Sequence, residues 1–248
     1  PITRWQSSMS SLPSSPQVLS PGSSAATARP DIEKQTWAVT GGARGLGSCL
    51  VRHLSDRGAR VLALSRRRGP GLPGGTYLAY DPSEETSMRN AAHLISGPVD
   101  HVVHNAAIRG DTGGLATLTA DHLAEVMRIN VAGPLLLTRA LLCRLTPNGT
   151  LTFISSRAGS FTEGHDPDGD YAYCLSKAAL NRAVAKLADD LPHRVLAVHP
   201  GWLATDMGGA VAPDDPDLAA QRIVSLVIRT DGPETGSFTD TLGQPILP

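Results

Sequence analysis

From Thr36 onward, short apolar runs alternate with longer stretches in which apolar residues recur at helical spacing. Thr36–Val39, Arg60–Leu64, Thr76–Tyr80, Val99–His104, Thr150–Ser155 and Arg194–His199 read as strands. Leu46–Asp56, Asp121–Leu145, Tyr171–Asp190 and Pro216–Arg229 read as helices. Strands separated by helices must pair in parallel through right-handed crossovers. The pattern predicts an α/β fold, a Rossmann-type doubly wound parallel sheet of about seven strands with helices on both faces. One domain is expected over residues 34–248.

Residues 1–33 break this pattern, with nine serines, five prolines and little apolar periodicity. Such a composition buries too little to offset the entropy of ordering, so a disordered tail is expected there. It has no apolar core of the kind a secretory signal needs. A plain extension is preferred over a transit peptide, which it resembles only in being Ser-rich and acid-poor.

Composition narrows the function classes. The formal net charge is -1 over 248 residues, which gives no electrostatic case for nucleic acid or an anionic membrane. No uninterrupted apolar run approaches the roughly 20 residues of a membrane span. Cys49, Cys143 and Cys174 lack the spacing of a disulfide framework or a zinc ribbon, and free thiols suit a reducing compartment, most simply the cytoplasm. Only three of the 22 basic residues are lysine, at 34, 177 and 186, so each lysine draws notice. The Arg, Ala, Gly and Pro bias suggests a GC-rich, bacterial source.

Thr40-Gly41-Gly42-Ala43-Arg44-Gly45-Leu46-Gly47 closes the first strand and opens the first helix. Glycines there allow a tight turn and close approach of backbone to a pyrophosphate, and the helix N-terminus offers unpaired N–H groups to that anion. A dinucleotide site follows. An NAD site usually carries Asp or Glu about 20 residues on, to bind the ribose 2′-hydroxyl. Here Ser65 stands in that place and Arg66, Arg67 and Arg68 follow. Guanidinium groups bind a 2′-phosphate that a carboxylate would repel. Arg44 and Arg66 therefore favour NADP(H), while Arg67 and Arg68 also fit a solvated basic loop.

Tyr173-Cys174-Leu175-Ser176-Lys177 places a phenol and an ammonium on one helix face at i and i+4. Tyrosine titrates near 10, and a nearby cation is expected to lower that value so the phenol can exchange a proton. Ser155 and Ser156 both end a strand at the ligand edge of such a sheet. Either hydroxyl could donate to a substrate carbonyl.

The TGxxxGxG spacing and the YxxxK pair resemble the short-chain dehydrogenase/reductase family, and other marks of that family occur in order over residues 36 to about 240. The resemblance assigns the serine role to Ser156 and leaves Ser155 structural. It implies that Asp81, with Pro82, contacts adenine, and that His104-Asn105-Ala106-Ala107 is the stretch lining the cofactor after the fourth strand. Asn130 matches the helix asparagine of a proton relay. Pro200, Gly201, Leu203 and Thr205 match the loop around the nicotinamide. With Gly41, Ala43, Arg44, Gly45, Leu46, Gly47, Ser65, Arg66, Asn105, Ala106, Ala107, Tyr173 and Lys177, these make the implied cofactor site. The implied catalytic set is Asn130, Ser156, Tyr173 and Lys177.

His199-Pro200-Gly201-Trp202 and Thr205-Asp206-Met207-Gly208-Gly209 are similar to segments of the C-factor-like and sniffer-like carbonyl reductases. The family implies a small-molecule carbonyl or alcohol as substrate and a homodimer or homotetramer. A run of Leu135, Leu136, Leu137, Leu141 and Leu142 suggests extra apolar surface for such a contact. The alternative reading is a nucleotide-sensing or signalling protein on the same fold with little turnover. Two departures stand out. Ala107 replaces the usual glycine. The gap from Ser156 to Tyr173 is about four residues longer than the family norm, with the surplus in 163–170. Glu163, Asp166, Asp168 and Asp170 are expected to form a negative rim there, and His165 is read as solvated, with no metal site.

Overall fold

The computed structural model describes residues 32–68, 75–164 and 170–248, so the expected tail up to residue 31 lies outside the described residues, as do His165, Asp166 and Asp168. Ile32–Lys34 form a 3-10 turn whose Ile32 is buried, so packing includes a residue that the sequence pattern leaves in the tail.

Seven parallel strands make one sheet in the order β3-β2-β1-β4-β5-β6-β7. They are β1 (Thr36–Thr40), β2 (Arg60–Ser65), β3 (Gly75–Ala79), β4 (Val99–His104), β5 (Leu145–Ile154), β6 (Arg194–His199) and β7 (Phe238–Asp240). The helices are α1 (Gly45–Asp56), α2 (Glu85–Leu94), α3 (Ala120–Met127), α4 (Gly133–Leu141), α5 (Tyr171–Asp190) and α6 (Pro216–Ile228). The fold is a single-domain Rossmann-type sheet, as the alternating pattern predicts.

Strand alternation builds two cores from one sheet. In β1, Trp37 and Val39 face the layer of α1 and α6 with Leu50, Leu54, Ile223 and Val224. Ala38, between them, faces the layer of α2, α4 and α5 with Leu62, Leu137, Phe153 and Leu180. Leu50 and Leu137 are fully buried. Each such leucine contributes about 2 kcal/mol of transfer free energy.

Several elements differ from the sequence reading. The expected helix Asp121–Leu145 is two α-helices joined by a π turn at Arg128–Ala132 and ended by a 3-10 turn at Leu142–Arg144. The π turn holds Asn130, whose side chain binds backbone outside the helix. β5 begins at Leu145 rather than Thr150, because Leu145 pairs with Val99 across an irregular register. α2 was not anticipated; it is short and polar, and buries only Met88, Ala91 and Ala92. β7, the unlocated seventh strand, has three residues. By length and composition the run Ala120–Arg144 is apolar enough to cross a membrane, which the sequence reading had denied. In this fold it packs on the sheet, with Leu137 and Leu141 fully buried and unavailable to a partner.

The chain order reverses direction at β1, from which β2 and β3 run one way and β4 to β7 the other. The crevice between the C-terminal ends of β1 and β4 is where ligands bind such sheets.

Candidate active site

The glycine turn sits at that crevice. Gly41 has φ +68° and Gly45 φ +51°, a region that disfavours any side chain. A Cβ on Gly41 would fall 2.9 Å from Asn105 Nδ2, and one on Gly47 would collide with the Gly41 carbonyl oxygen. The turn thus needs glycine both to bend and to let α1 pack against it. Arg44, at the N-cap of α1, makes no side-chain cap bond. The N-terminus of a 12-residue helix is thereby left without a side-chain cap at the crevice. These features fit a dinucleotide pyrophosphate.

Across the crevice, Thr40 binds the end of β4. Its hydroxyl accepts from Asn105 N at 2.9 Å and Ala106 N at 3.0 Å, while Asn105 Nδ2 donates to the Thr40 carbonyl at 2.9 Å. Asn105 therefore locks the turn to β4, with Ala106 and Ala107 following half-buried.

On the β2 side, Ser65 is buried and donates to the Arg67 carbonyl at 2.5 Å, while Arg66 stands exposed. Asp81 accepts from Ser83 N at 2.9 Å and Ser83 Oγ at 2.7 Å. Burial opposes its ionisation, but these bonds and the Arg66 charge hold its carboxyl below the usual value. Pro82 is buried, close to Gly133. Arg44 reaches the other way, to Asp206 at 3.2 Å, with both side chains more than two-thirds exposed. Thr205, the residue before Asp206, faces Gly45. Leu203 is buried, bridged to Asp214, and Gly201 has φ +100°. The loop after β6, from Pro200 on, thus lies against the glycine turn.

The other half of the site is built on α5. Lys177 is 2% exposed and donates from Nζ to the Ile154 carbonyl at 2.8 Å. Its ammonium lies 5.4 Å from the Tyr173 ring centre. The Ser156 hydroxyl lies close enough to the Tyr173 phenol to favour its ionised form, and it accepts from Ala158 N at 3.2 Å. Ser155 points away, donating to Asn181 Oδ1 at 2.5 Å. Asn130 Oδ1 accepts from Ile108 N at 2.9 Å, and its Nδ2 donates to the Ile108 carbonyl at 2.8 Å and to Ser176 Oγ at 3.0 Å. Ser176 in turn donates to the Tyr173 carbonyl at 2.7 Å. Asn130 is tied to Tyr173 through this single buried hydroxyl, a link the sequence reading did not identify.

Burial dominates the electrostatics here. It pushes the Tyr173 phenol up to about 12, against the Ser156 bond and the Arg109 charge, which pull it down. It also pulls the Lys177 ammonium down to about 8. The expected lowering of Tyr173 is therefore corrected: desolvation outweighs the groups that favour the phenolate, and burial also weakens the hold of Lys177 on its proton.

Of the four carboxylates expected at the rim, Asp166 and Asp168 lie outside the described residues, and the other two are paired. Asp170 is 1% exposed, with its carboxylate in an ion pair with Arg109. Glu163 accepts from Leu247 N at 2.9 Å and lies 3.7 Å from Arg157. Neither is a free surface charge.

The short chain dehydrogenase family model matches residues 35–216, and the chain belongs to the short-chain dehydrogenase/reductase family of oxidoreductases. Among curated relatives, "C-signal" of Myxococcus xanthus is 37% identical over 161 residues, covering 62% of this chain and 95% of that protein. A carbonyl reductase from Pseudomonas aeruginosa PAO1, solved in complex with NADP, is 29% identical, with a TM-score of 0.74 over 86% of this chain and 99% of the other. The carbonyl reductase Sniffer of D. melanogaster superposes with a TM-score of 0.79 at 24% identity, covering 86% of this chain and 99% of that one, a likeness of fold. Its solved neighbours thus include carbonyl reductases, and its family binds nicotinamide cofactors and acts on small molecules.

Proposed function

We propose that the protein is an NADP(H)-dependent reductase of a small-molecule ketone or aldehyde. The observation that carries this reading is the group of Ser156, Tyr173 and the buried Lys177, linked through buried Ser176 to Asn130, beside the glycine turn. Gly41, Gly45, Leu46 and Gly47, with Ala43, would hold the pyrophosphate. Arg44 and Arg66 would hold the 2′-phosphate, since no carboxylate follows β2 to repel it. Asp81 and Pro82 would border the adenine, and Asn105, Ala106, Ala107, Pro200, Gly201, Leu203 and Thr205 the rest of the cofactor. When bound, the reduced nicotinamide supplies a hydride for the carbonyl carbon.

The chain's own residues do the rest. Ser156 donates a hydrogen bond to the carbonyl oxygen. Tyr173 gives its phenolic proton to that oxygen as negative charge develops, which makes the alcohol and leaves a tyrosinate. Lys177 stabilises the tyrosinate and binds the nicotinamide ribose. A water held at Asn130 would relay a proton from solvent through Lys177 to the tyrosinate. Both N–H groups of Asn130 are engaged, so that water donates to its side-chain or backbone oxygen.

A panel of ketones and aldehydes tests this reading, with loss of reduced-cofactor absorbance as the readout. Turnover of at least one class supports it; failure of NADPH to bind overturns it. The match to a protein named for signalling favours a second reading, a nucleotide-binding signalling protein with little turnover. Tight NADPH binding without turnover of any carbonyl would select it.

None of the three cysteines is in a disulfide, which suits a reducing cytoplasm. A homodimer or homotetramer through α5 is also proposed, because Tyr171 and Leu175 stay 44% and 50% exposed on one face of that helix. Light scattering should give at least twice the 26.0 kDa chain mass, and a monomer mass overturns the assembly.

A further inference from the structure

Asp170 and Arg109 lie 61 residues apart in sequence yet form a charged pair at the mouth of the candidate active site. Asp170 is the N-cap residue of α5, and its carbonyl accepts from Cys174 N at 2.9 Å. Its side chain has no exposed surface, whereas that of Arg109 keeps 29%. Asp170 stands three residues before Tyr173, on the same side of the first turn. Arg109 comes from the other wall of the site, one residue after Ile108, whose backbone is gripped by Asn130. We propose that Arg109, held in place by Asp170, is a positioning residue that sets the acidity of Tyr173 from the outer side of the site.

This inference rests on Tyr173 being the proton donor. It follows from which charges remain near the phenol. Lys177 is the inner cation, but it is wholly enclosed and its Nζ is directed at the Ile154 carbonyl. Burial weakens the hold of the Lys177 ammonium on its proton, whereas a guanidinium stays charged throughout. Arg109 is thus the permanent cation, and its charge favours the phenolate, while Asp170 and Cys174 oppose it. Among the described residues, the remaining groups on packed elements are engaged elsewhere or exposed. Arg157 pairs with Glu163, His199 accepts from Arg157 N, and His122 accepts from Asp111 N. Asp121, Glu125 and Arg128 are exposed. Asp170 therefore has two opposed effects: it anchors the arginine and it partly cancels its charge.

That opposition gives a test that a plain structural clamp would fail. Tyrosine labelled with carbon-13 at Cζ is titrated by NMR in the NADP-loaded protein, with the Tyr173 signal assigned by its loss in Tyr173→Phe. At a fixed alkaline pH, Arg109→Gln should lower the phenolate fraction by about three- to ten-fold, as loss of a nearby charge would. Asp170→Asn should raise it, and Arg109→Lys should restore the wild-type value. If Asp170→Asn does not fold, the Gln and Lys variants at position 109 decide. Shifts of the same sign at both positions, no shift in Arg109→Gln, or no rescue by lysine overturns the proposal. The NMR readout needs no substrate, so it is separate from the question of turnover. A protein that shows these shifts but reduces no carbonyl would refute only the proposed reaction.

Discussion

The two walls of the crevice are built on opposite principles. On the glycine-turn wall, backbone does the shaping and the charges stand in water: Arg44 and Arg66 are exposed, and Arg44 holds only a surface contact with Asp206. On the α5 wall the charges are inside: Lys177 and Asp170 are almost wholly buried and each is bonded to a named partner, with Tyr173 half-buried between them in sequence. An exposed charge is free to meet an incoming phosphate, and its solvation changes little when it does so. A buried group has its proton affinity displaced before any ligand arrives. The first wall is suited to recognition and the second to proton transfer.

The largest test of that contrast is Tyr173→Phe, which removes the phenolic proton and leaves the ring. General acid catalysis is commonly worth about 10²–10⁴-fold, so kcat should fall by at least about 100-fold. NADPH affinity should stay within about three-fold of wild type, a difference under ~0.7 kcal/mol. Steady-state kinetics and cofactor titration check the two halves. Near-normal kcat would show that the α5 wall does not supply the proton.

A second test moves from the site to the strand that supports it. His104 ends β4, stacks on Phe153 and shares a hydrogen bond of 2.9 Å with Thr138, while His101, on the same strand, packs on Trp37. Burial lowers His104 from 6.5 to about 3. Burial is also the main cause for His101, lowered from 6.5 to about 4, where the Asp100 charge opposes the shift and the Arg194 charge adds to it. The folded protein therefore keeps both neutral where the unfolded chain would take up protons. Stability is complete above pH 6.5 and declines as pH falls below it, until the folded-state values near 4 and 3 are reached. Each histidine contributes a slope of about 1.4 kcal/mol per pH unit. Urea unfolding at a series of pH values checks this, and His104→Gln should remove one histidine's share, about 1.4 kcal/mol per pH unit. An unchanged slope would place the acid sensitivity elsewhere.

The legible parts of the molecule are those whose cause lies within a short stretch of chain. Alternating apolar runs determine β1, β2 and β6, and the glycine turn is local because its bend and its packing both come from Gly41 and Gly47. Tyr173 and Lys177 are legible because four residues of helix bring them to one face. What sequence reading missed depends on contacts between distant segments. The link from Asn130 through Ser176 spans 46 residues, and the Arg109–Asp170 pair spans 61. Asp170 carried one readable signal, its place three residues before Tyr173, but a carboxylate in a charge-rich loop looks solvated until a buried partner is known. The pKa directions were misjudged for a related reason. Helical spacing reveals that Lys177 is near Tyr173, yet only the packed structure shows that Lys177 is cut off from water and Tyr173 partly so.

The smallest expected effect belongs to the exposed wall. If Arg44 and Arg66 recognise the 2′-phosphate, NADPH should bind at least about ten-fold more tightly than NADH, close to 1.4 kcal/mol. Part of that gain is offset, because Arg44 must give up Asp206. Both partners are more than two-thirds exposed, so this loss is screened by solvent and small, at most about 1 kcal/mol. Asp206→Asn should therefore tighten NADPH binding by no more than about five-fold, which is ~1 kcal/mol, and leave NADH binding unchanged. Arg66→Ser should reduce the preference for NADPH without altering thermal stability, since Arg66 is exposed. Isothermal titration of both cofactors into the three proteins measures all of these effects, and raising the salt should shrink the preference as the phosphate contact is screened. Equal affinity of the wild-type protein for NADH and NADPH would mean that the exposed arginines are only a solvated basic loop. The glycine-turn wall would then recognise the dinucleotide through backbone alone.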